Sequence, residues 1–141
     1  MIRGIRAIIS KVSKETNIPP QYLYGLVCGY SKKNNLAYLN IIYDIESDDY
    51  YIGLLRVPLS YANKVKDKIN KDKVELIDLF DPYINLYVGA LLLKEYYNKK
   101  NNWISAIYMY NLGEEDFNRT HIDNDLFVEK VMLYAKDWFV D

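Results

Sequence analysis

The fold turns on residues Ile8–Ser31, IISKVSKETNIPPQYLYGLVCGYS. With Ile2 and Ile5 just upstream, Ile8, Ile9 and Val12 recur three and four residues apart, which marks one face of a helix. That helix should end near Asn17, because Pro19-Pro20 forces a break. Proline is accepted in a first helical turn, so a second helix starts at the same place. Its buried stripe is Tyr22, Leu23, Leu26, Val27 and Tyr30. Gly25 and Gly29 lie on it four apart, each costing about 1 kcal/mol relative to alanine. Close approach of another backbone is the expected compensation.

Downstream, Ser31–Asn35 is polar and closes this helix. Ala37–Ile45 and Tyr50–Val57 are rich in Tyr and Ile and flank the acidic turn Glu46-Ser47-Asp48-Asp49, which reads as a β-hairpin or an irregular extended lobe. Pro58 and Ser60 introduce a third helix with Leu59, Ala62, Val65 and Ile69 inward, followed by a short connector over Asp72–Leu79. Asp81-Pro82 opens the most apolar helix, expected at the buried centre. Trp103 to Tyr110 form another helix that Gly113 terminates, and Phe127, Val131, Tyr134, Ala135 and Trp138 define the last.

The 141 residues suit one domain, and 50% hydrophobic with 26% charged residues is a globular composition. Eighteen basic against nineteen acidic residues argue against a general nucleic-acid binder. One cysteine, Cys28, and one histidine, His121, exclude an internal disulfide and any multi-Cys or His-rich metal site. Cys28 should be an inert buried thiol and His121 a solvent-exposed loop side chain. The apolar stretch Ile84–Leu93 is about half of a bilayer span, and the N-terminus reads as an amphipathic helix rather than a secretory signal. Fifteen tyrosines, with abundant Asn, Lys and Ile, fit the bias of an AT-rich coding sequence better than an aromatic sugar cleft.

Four segments, in order, resemble the lytic transglycosylase domains of the goose-type lysozyme superfamily. Ile8–Ser31 resembles the family's helix, Ile-Pro-Pro, and helix ending in Glu-Ser. Gly53-Leu54-Leu55-Arg56-Val57 is similar to its Gly-Leu-Met-Gln-Val turn. The run from Asp81-Pro82 through Asn85 and Gly89-Ala90 to Leu93 is similar to its Asp-Pro, Asn-Ile, Gly-Ala, Leu helix. Ala106–Gly113 resembles its Ala-x-x-x-Tyr-Asn-x-Gly motif. The resemblance implies a mainly α fold of the α+β lysozyme-like type. It would be one helical domain over residues 1–141, around a buried central helix, with a small extended or β-hairpin insertion.

One departure governs the functional expectation. Where the family carries its catalytic glutamate, this chain has Tyr30, followed by the retained Ser31. In the family that carboxyl protonates the glycosidic oxygen and then removes a proton from the sugar's own hydroxyl, giving an anhydro sugar. Burial in an apolar cleft tunes a glutamate for this task. A phenol, with a reference pKa of about 10, is a far poorer acid. A core aromatic filling the space of the missing carboxyl is therefore favoured over an acid, with sugar contact left open.

About eight extra residues separate Tyr30 from Gly53 relative to the usual family spacing, so Glu46 or Asp44 is the candidate relocated acid. A solvated turn is the blander reading of both. Arg56 stands where the family has a cleft-lining glutamine, and it could bind an N-acetyl carbonyl or a carboxylate. Ser31, Leu55, Tyr110 and Asn111 complete the expected ligand contacts, structural and binding roles being evenly weighted for the last two.

The expectation is a degenerate lytic-transglycosylase-like domain that binds peptidoglycan or another N-acetyl-sugar polymer, without cofactor, metal, nucleic acid or membrane span. A virion or secretion apparatus is the looser guess for protein partners. An active enzyme using Glu46 or Asp44, and a protein-interaction module on the same fold, are the alternatives.

Overall fold

The computed structural model describes residues 3–31, 36–114 and 125–140. Helix α1 (Arg3–Thr16) presents Ile5, Ile9 and Val12 to the core, and the chain leaves it through Asn17 in the left-handed region. Helix α2 (Pro20–Tyr30) begins at the second proline, as its fixed φ and missing N–H allow. The extended region is a three-stranded antiparallel sheet of β1 (Ile41–Asp44), β2 (Asp49–Ile52) and β3 (Val57–Pro58) in that order, with Asp44 opposite Asp49. The strands are shorter than the expected runs Ala37–Ile45 and Tyr50–Val57, and residues 45–48 and 53–56 form turns.

Helix α3 (Leu59–Lys64) lacks a side-chain cap of its own, and Asp49 of β2 serves instead, accepting the Ser60 amide at 3.1 Å and the Ser60 hydroxyl. The third helix was expected to run through Ile69. It breaks at Val65 into a separate 3-10 turn, Lys66–Ile69, that Asn70 ends in the left-handed region. The connector holds a second 3-10 turn, Leu76–Phe80, closed by reciprocal Glu75 and Asp78 caps. Asp81 caps α4 (Pro82–Lys100) through the Ile84 amide at 3.0 Å. Asn102 and Asp125 do the same for α5 (Trp103–Leu112) and α6 (Leu126–Asp137).

The expected close approach at Gly25 and Gly29 is present, and α6 makes it. A Cβ on Gly25 would sit 2.6 Å from the Val131 carbonyl oxygen, and one on Gly29 3.0 Å from a Val131 methyl. Helix α2 is thus clamped against α6, and Tyr30 at its end lies under Phe127, with ring centroids 4.9 Å apart. Gly25→Ala is expected to destabilise by about 1–3 kcal/mol, since a backbone carbonyl must move and the helix-propensity gain does not offset that. Gly4→Ala, at an α1 position with nothing within 4 Å, should be neutral or stabilising. Denaturant midpoints for the two variants check this, and equal shifts would show that the α2–α6 approach is not tight.

Arg6 closes the molecule at its ends. Its guanidinium donates to the carbonyls of Trp138 and Asp137, each at 2.9 Å, and lies over both the Tyr24 and Trp138 rings. Trp103 stacks on Tyr97 with centroids 3.9 Å apart, so both tryptophans pack as structural groups. Cys28 is buried, and burial pushes its thiol up, as an inert cysteine requires. Among the described residues no helix is long and apolar enough to cross a membrane. His121 lies outside the described residues.

Candidate functional site

The site is built where the C-terminus of α2, the turn between β2 and β3, and the C-terminus of α5 converge. Gly53 and Arg56, at the two ends of that turn, both have positive φ, 77° and 45°, and the Arg56 amide donates to the Gly53 carbonyl at 3.0 Å. Only glycine fits at position 53, since a Cβ there would lie 2.3 Å from Asn85 Nδ2. Arg56 has no such freedom, and a left-handed backbone costs a non-glycine residue about 1–2 kcal/mol.

Two buried polar side chains hold the turn in place. Asn85, 1% exposed within α4, accepts the Leu55 amide at 2.9 Å and donates to the carbonyls of Ile52 and Leu79, both at 2.8 Å. The Tyr110 hydroxyl donates to the Leu55 carbonyl. Gly89 lets the turn settle on α4, because a Cβ there would meet Leu55 Cδ1 at 2.6 Å. The sequence signal for Asn85 was an amide inside an otherwise apolar helix; its three hydrogen bonds were not foreseeable.

Tyr30 forms the floor. It is 6% exposed, and its hydroxyl donates to Asn111 Oδ1 at 3.1 Å. The Arg56 guanidinium carbon lies 4.5 Å from the centre of its ring. Burial pushes the Tyr30 phenol above its ordinary value, and the Arg56 charge offsets this only in part. Tyr110 is likewise raised by burial. Both phenols are therefore protonated donors already committed to protein acceptors.

A cleft of about 370 Å³ opens over this floor, lined by Tyr30, Arg56, Tyr110 and Asn111 together with Ile42 and Asp44 of β1. A second limb of about 780 Å³ runs from Tyr30 and Arg56 toward Tyr38 and Asn40. A separate apolar groove of about 590 Å³ lies between Ile104 of α5 and Met132 and Leu133 of α6, and no candidate site residue borders it.

The sequence-derived candidates divide accordingly. Tyr30, Arg56, Tyr110 and Asn111 come together, and Asp44 lines the same cleft. Glu46 is exposed in the hairpin turn and does not line the cleft. Ser31 and Leu55 are buried and border neither limb of the cleft. The Ser31 hydroxyl accepts the Ala37 amide at 3.2 Å, and Leu55 packs beneath the floor while its backbone anchors Tyr110.

A crystal structure of an inactive Glu-to-Gln mutant of the lytic transglycosylase Slt from Pseudomonas aeruginosa superimposes with a TM-score of 0.74 at 18% identity. The match covers 94% of this chain and 23% of that one, so the chain spans about a quarter of the length of Slt. At that identity the likeness speaks for the fold, and it agrees with the expected α+β lysozyme-like architecture. No curated protein sequence matches the chain. The transglycosylase SLT domain profile matches residues 7–127, most of the chain and all four of the segments quoted above. On that match, with the turn, the central helix and the cleft in their expected order, the chain belongs to the transglycosylase SLT domain family.

Proposed function

We propose that the chain binds peptidoglycan glycan strands in this cleft and has lost efficient cleavage of them. The observation that carries the proposal is Tyr30: a buried phenol with a raised pKa, donating to Asn111, at the position where the sequence resemblance implies the family's proton donor. A general acid works best when its pKa lies near the operating pH, and this one lies well above it. The remaining floor groups, the Asn111 amide and the Arg56 guanidinium, suit hydrogen bonding to sugar hydroxyl, amide or carboxylate oxygens.

A second reading is favoured by one observation only. Asp44 borders the same cleft as Tyr30 and Asn111, so a working lytic transglycosylase would draw on Asp44 rather than Glu46. The two are separated by incubating the purified chain with insoluble peptidoglycan. Co-sedimentation without a fall in turbidity is the expected result. Clearing that Asp44→Asn abolishes and Glu46→Gln does not would replace the binding reading with the catalytic one. Neither clearing nor co-sedimentation would leave protein contacts as the use of the fold.

A further inference from the structure

Arg56 does more than a neutral glycan requires. Its Nε is buried without a hydrogen-bond partner, and its described contact is with the face of the Tyr30 ring. None of the ion pairs among the described residues involves it. A buried guanidinium nitrogen left unpaired is costly, and buried polar groups are normally satisfied. The turn that carries Arg56 is nevertheless pinned by Asn85 and Tyr110 in a left-handed backbone, so the side chain is held where it is. Arg56 borders both limbs of the cleft, and the limb toward Tyr38 and Asn40 has no acidic side chain among its lining residues. A cation thus stands at the floor of a cleft whose family counterpart keeps a carboxyl there.

We propose that Arg56 is the recognition site for a carboxylate on the bound saccharide, received in the limb flanked by Tyr38 and Asn40. This rests on the glycan-binding reading and deepens it: the ligand is an anionic, carboxylate-bearing glycan rather than a neutral N-acetylglucosamine polymer. The guanidinium fork matches a carboxylate in two parallel hydrogen bonds, and a partly desolvated floor strengthens them. The carboxylate has two sources in peptidoglycan, the lactyl group of a muramyl sugar freed of its peptide, or the stem peptide itself.

The test uses the full chain with two ligands, peptide-free glycan strands and peptide-bearing strands, each paired with its methyl-esterified form. In peptide-bearing strands the lactyl carboxyl is locked in an amide, so the two ligands separate the sources. At least one carboxylate form is expected to bind about tenfold or more tightly than its own ester. That preference should shrink as salt rises. Arg56→Gln should erase it, and Arg56→Lys, which keeps the charge but loses the fork, should retain part. Glutamine meets the same left-handed backbone as arginine, so the variant keeps the turn's stereochemistry, and circular dichroism confirms folding. Equal binding of acid and ester by the wild-type chain, or an undiminished preference in Arg56→Gln, overturns the proposal while leaving glycan binding intact. Failure of every strand to bind, esters included, overturns the glycan reading and this one with it.

Discussion

The double variant Tyr30→Glu with Arg56→Gln is expected to release anhydro sugars from peptidoglycan, whereas Tyr30→Glu alone should be roughly ten- to a hundredfold slower. The reason lies in the geometry over the floor. The Arg56 guanidinium sits 4.5 Å from the Tyr30 ring centre, so a carboxyl introduced beneath it gains a cationic partner. An opposite charge within about 4–6 Å lowers a carboxyl's pKa by about 1–3 units, countering the upward effect of burial. The general acid must be protonated at the start of the reaction. Activity therefore falls as pH rises through its pKa, and in the single variant that fall should come about 1–3 pH units earlier. Removing the guanidinium leaves burial to dominate and raises the introduced carboxyl toward neutral pH. The double variant also recreates the Glu and Gln pair that the family resemblance implies. Product release measured across pH checks this. Equal rates and coincident pH limbs for the two variants would show that Arg56 does not act on the floor. A folded, glycan-binding double variant without product would show that the cleft no longer orients the linkage for cleavage.

Asn85→Ala should be the most damaging single truncation outside the apolar core. It strands the Leu55 amide and the Ile52 and Leu79 carbonyls, all bonded by one side chain that is 1% exposed. A buried unsatisfied group costs about 1–3 kcal/mol, and three neighbours do not add fully, so about 3–5 kcal/mol is expected. Against a typical total of about 5–15 kcal/mol, that leaves the chain marginal or unfolded at 25 °C. Asn85→Asp tests the polarity of the arrangement. It keeps the acceptor for Leu55 but turns donors toward two carbonyls into acceptors, so the introduced carboxyl has a folded pKa above its unfolded one. Between those values the folded state holds the extra proton, and stability falls as pH rises. Relative to wild type, the deficit should be smaller near pH 3 than at pH 7. Chemical denaturation at both values reads this, and a pH-independent deficit would place water or another donor at that spot.

Much of the fold was legible in local patterns because helices declare themselves through short-range rules. The Ile5, Ile9 and Val12 face, the Pro20 start, the Asp81-Pro82 opening and the Gly113 stop each depend on a few neighbouring residues. Even the long-range approach at Gly25 and Gly29 could be anticipated, since two glycines in a buried helix demand a reason. The break at Val65 was less legible, because Leu59, Ala62, Val65 and Ile69 keep helical spacing across two separate elements. For the candidate site, motif position named residues that share a cleft but not which of the named side chains border it. Tyr30, Arg56, Tyr110 and Asn111 were named from motif positions and line the cleft, whereas Ser31 and Leu55 were named on the same grounds and do not border it. Motif position does not say which side of a turn a side chain takes.

The order of residues by itself determined where most helices start and stop and the membership in the SLT domain family, because each is a property of residue type at a position. Only the tertiary structure decided that Asp44 and not Glu46 borders the cleft, that the Tyr30 hydroxyl is spent on Asn111, and that Arg56 lies over its ring. The last two relations join residues 26 and 81 positions apart along the chain (Tyr30 with Arg56 and with Asn111). They exist because Asn85, Gly89 and Tyr110 lock a strained turn against two helix ends. That arrangement is a balance of burial and hydrogen bonding that no local pattern encodes.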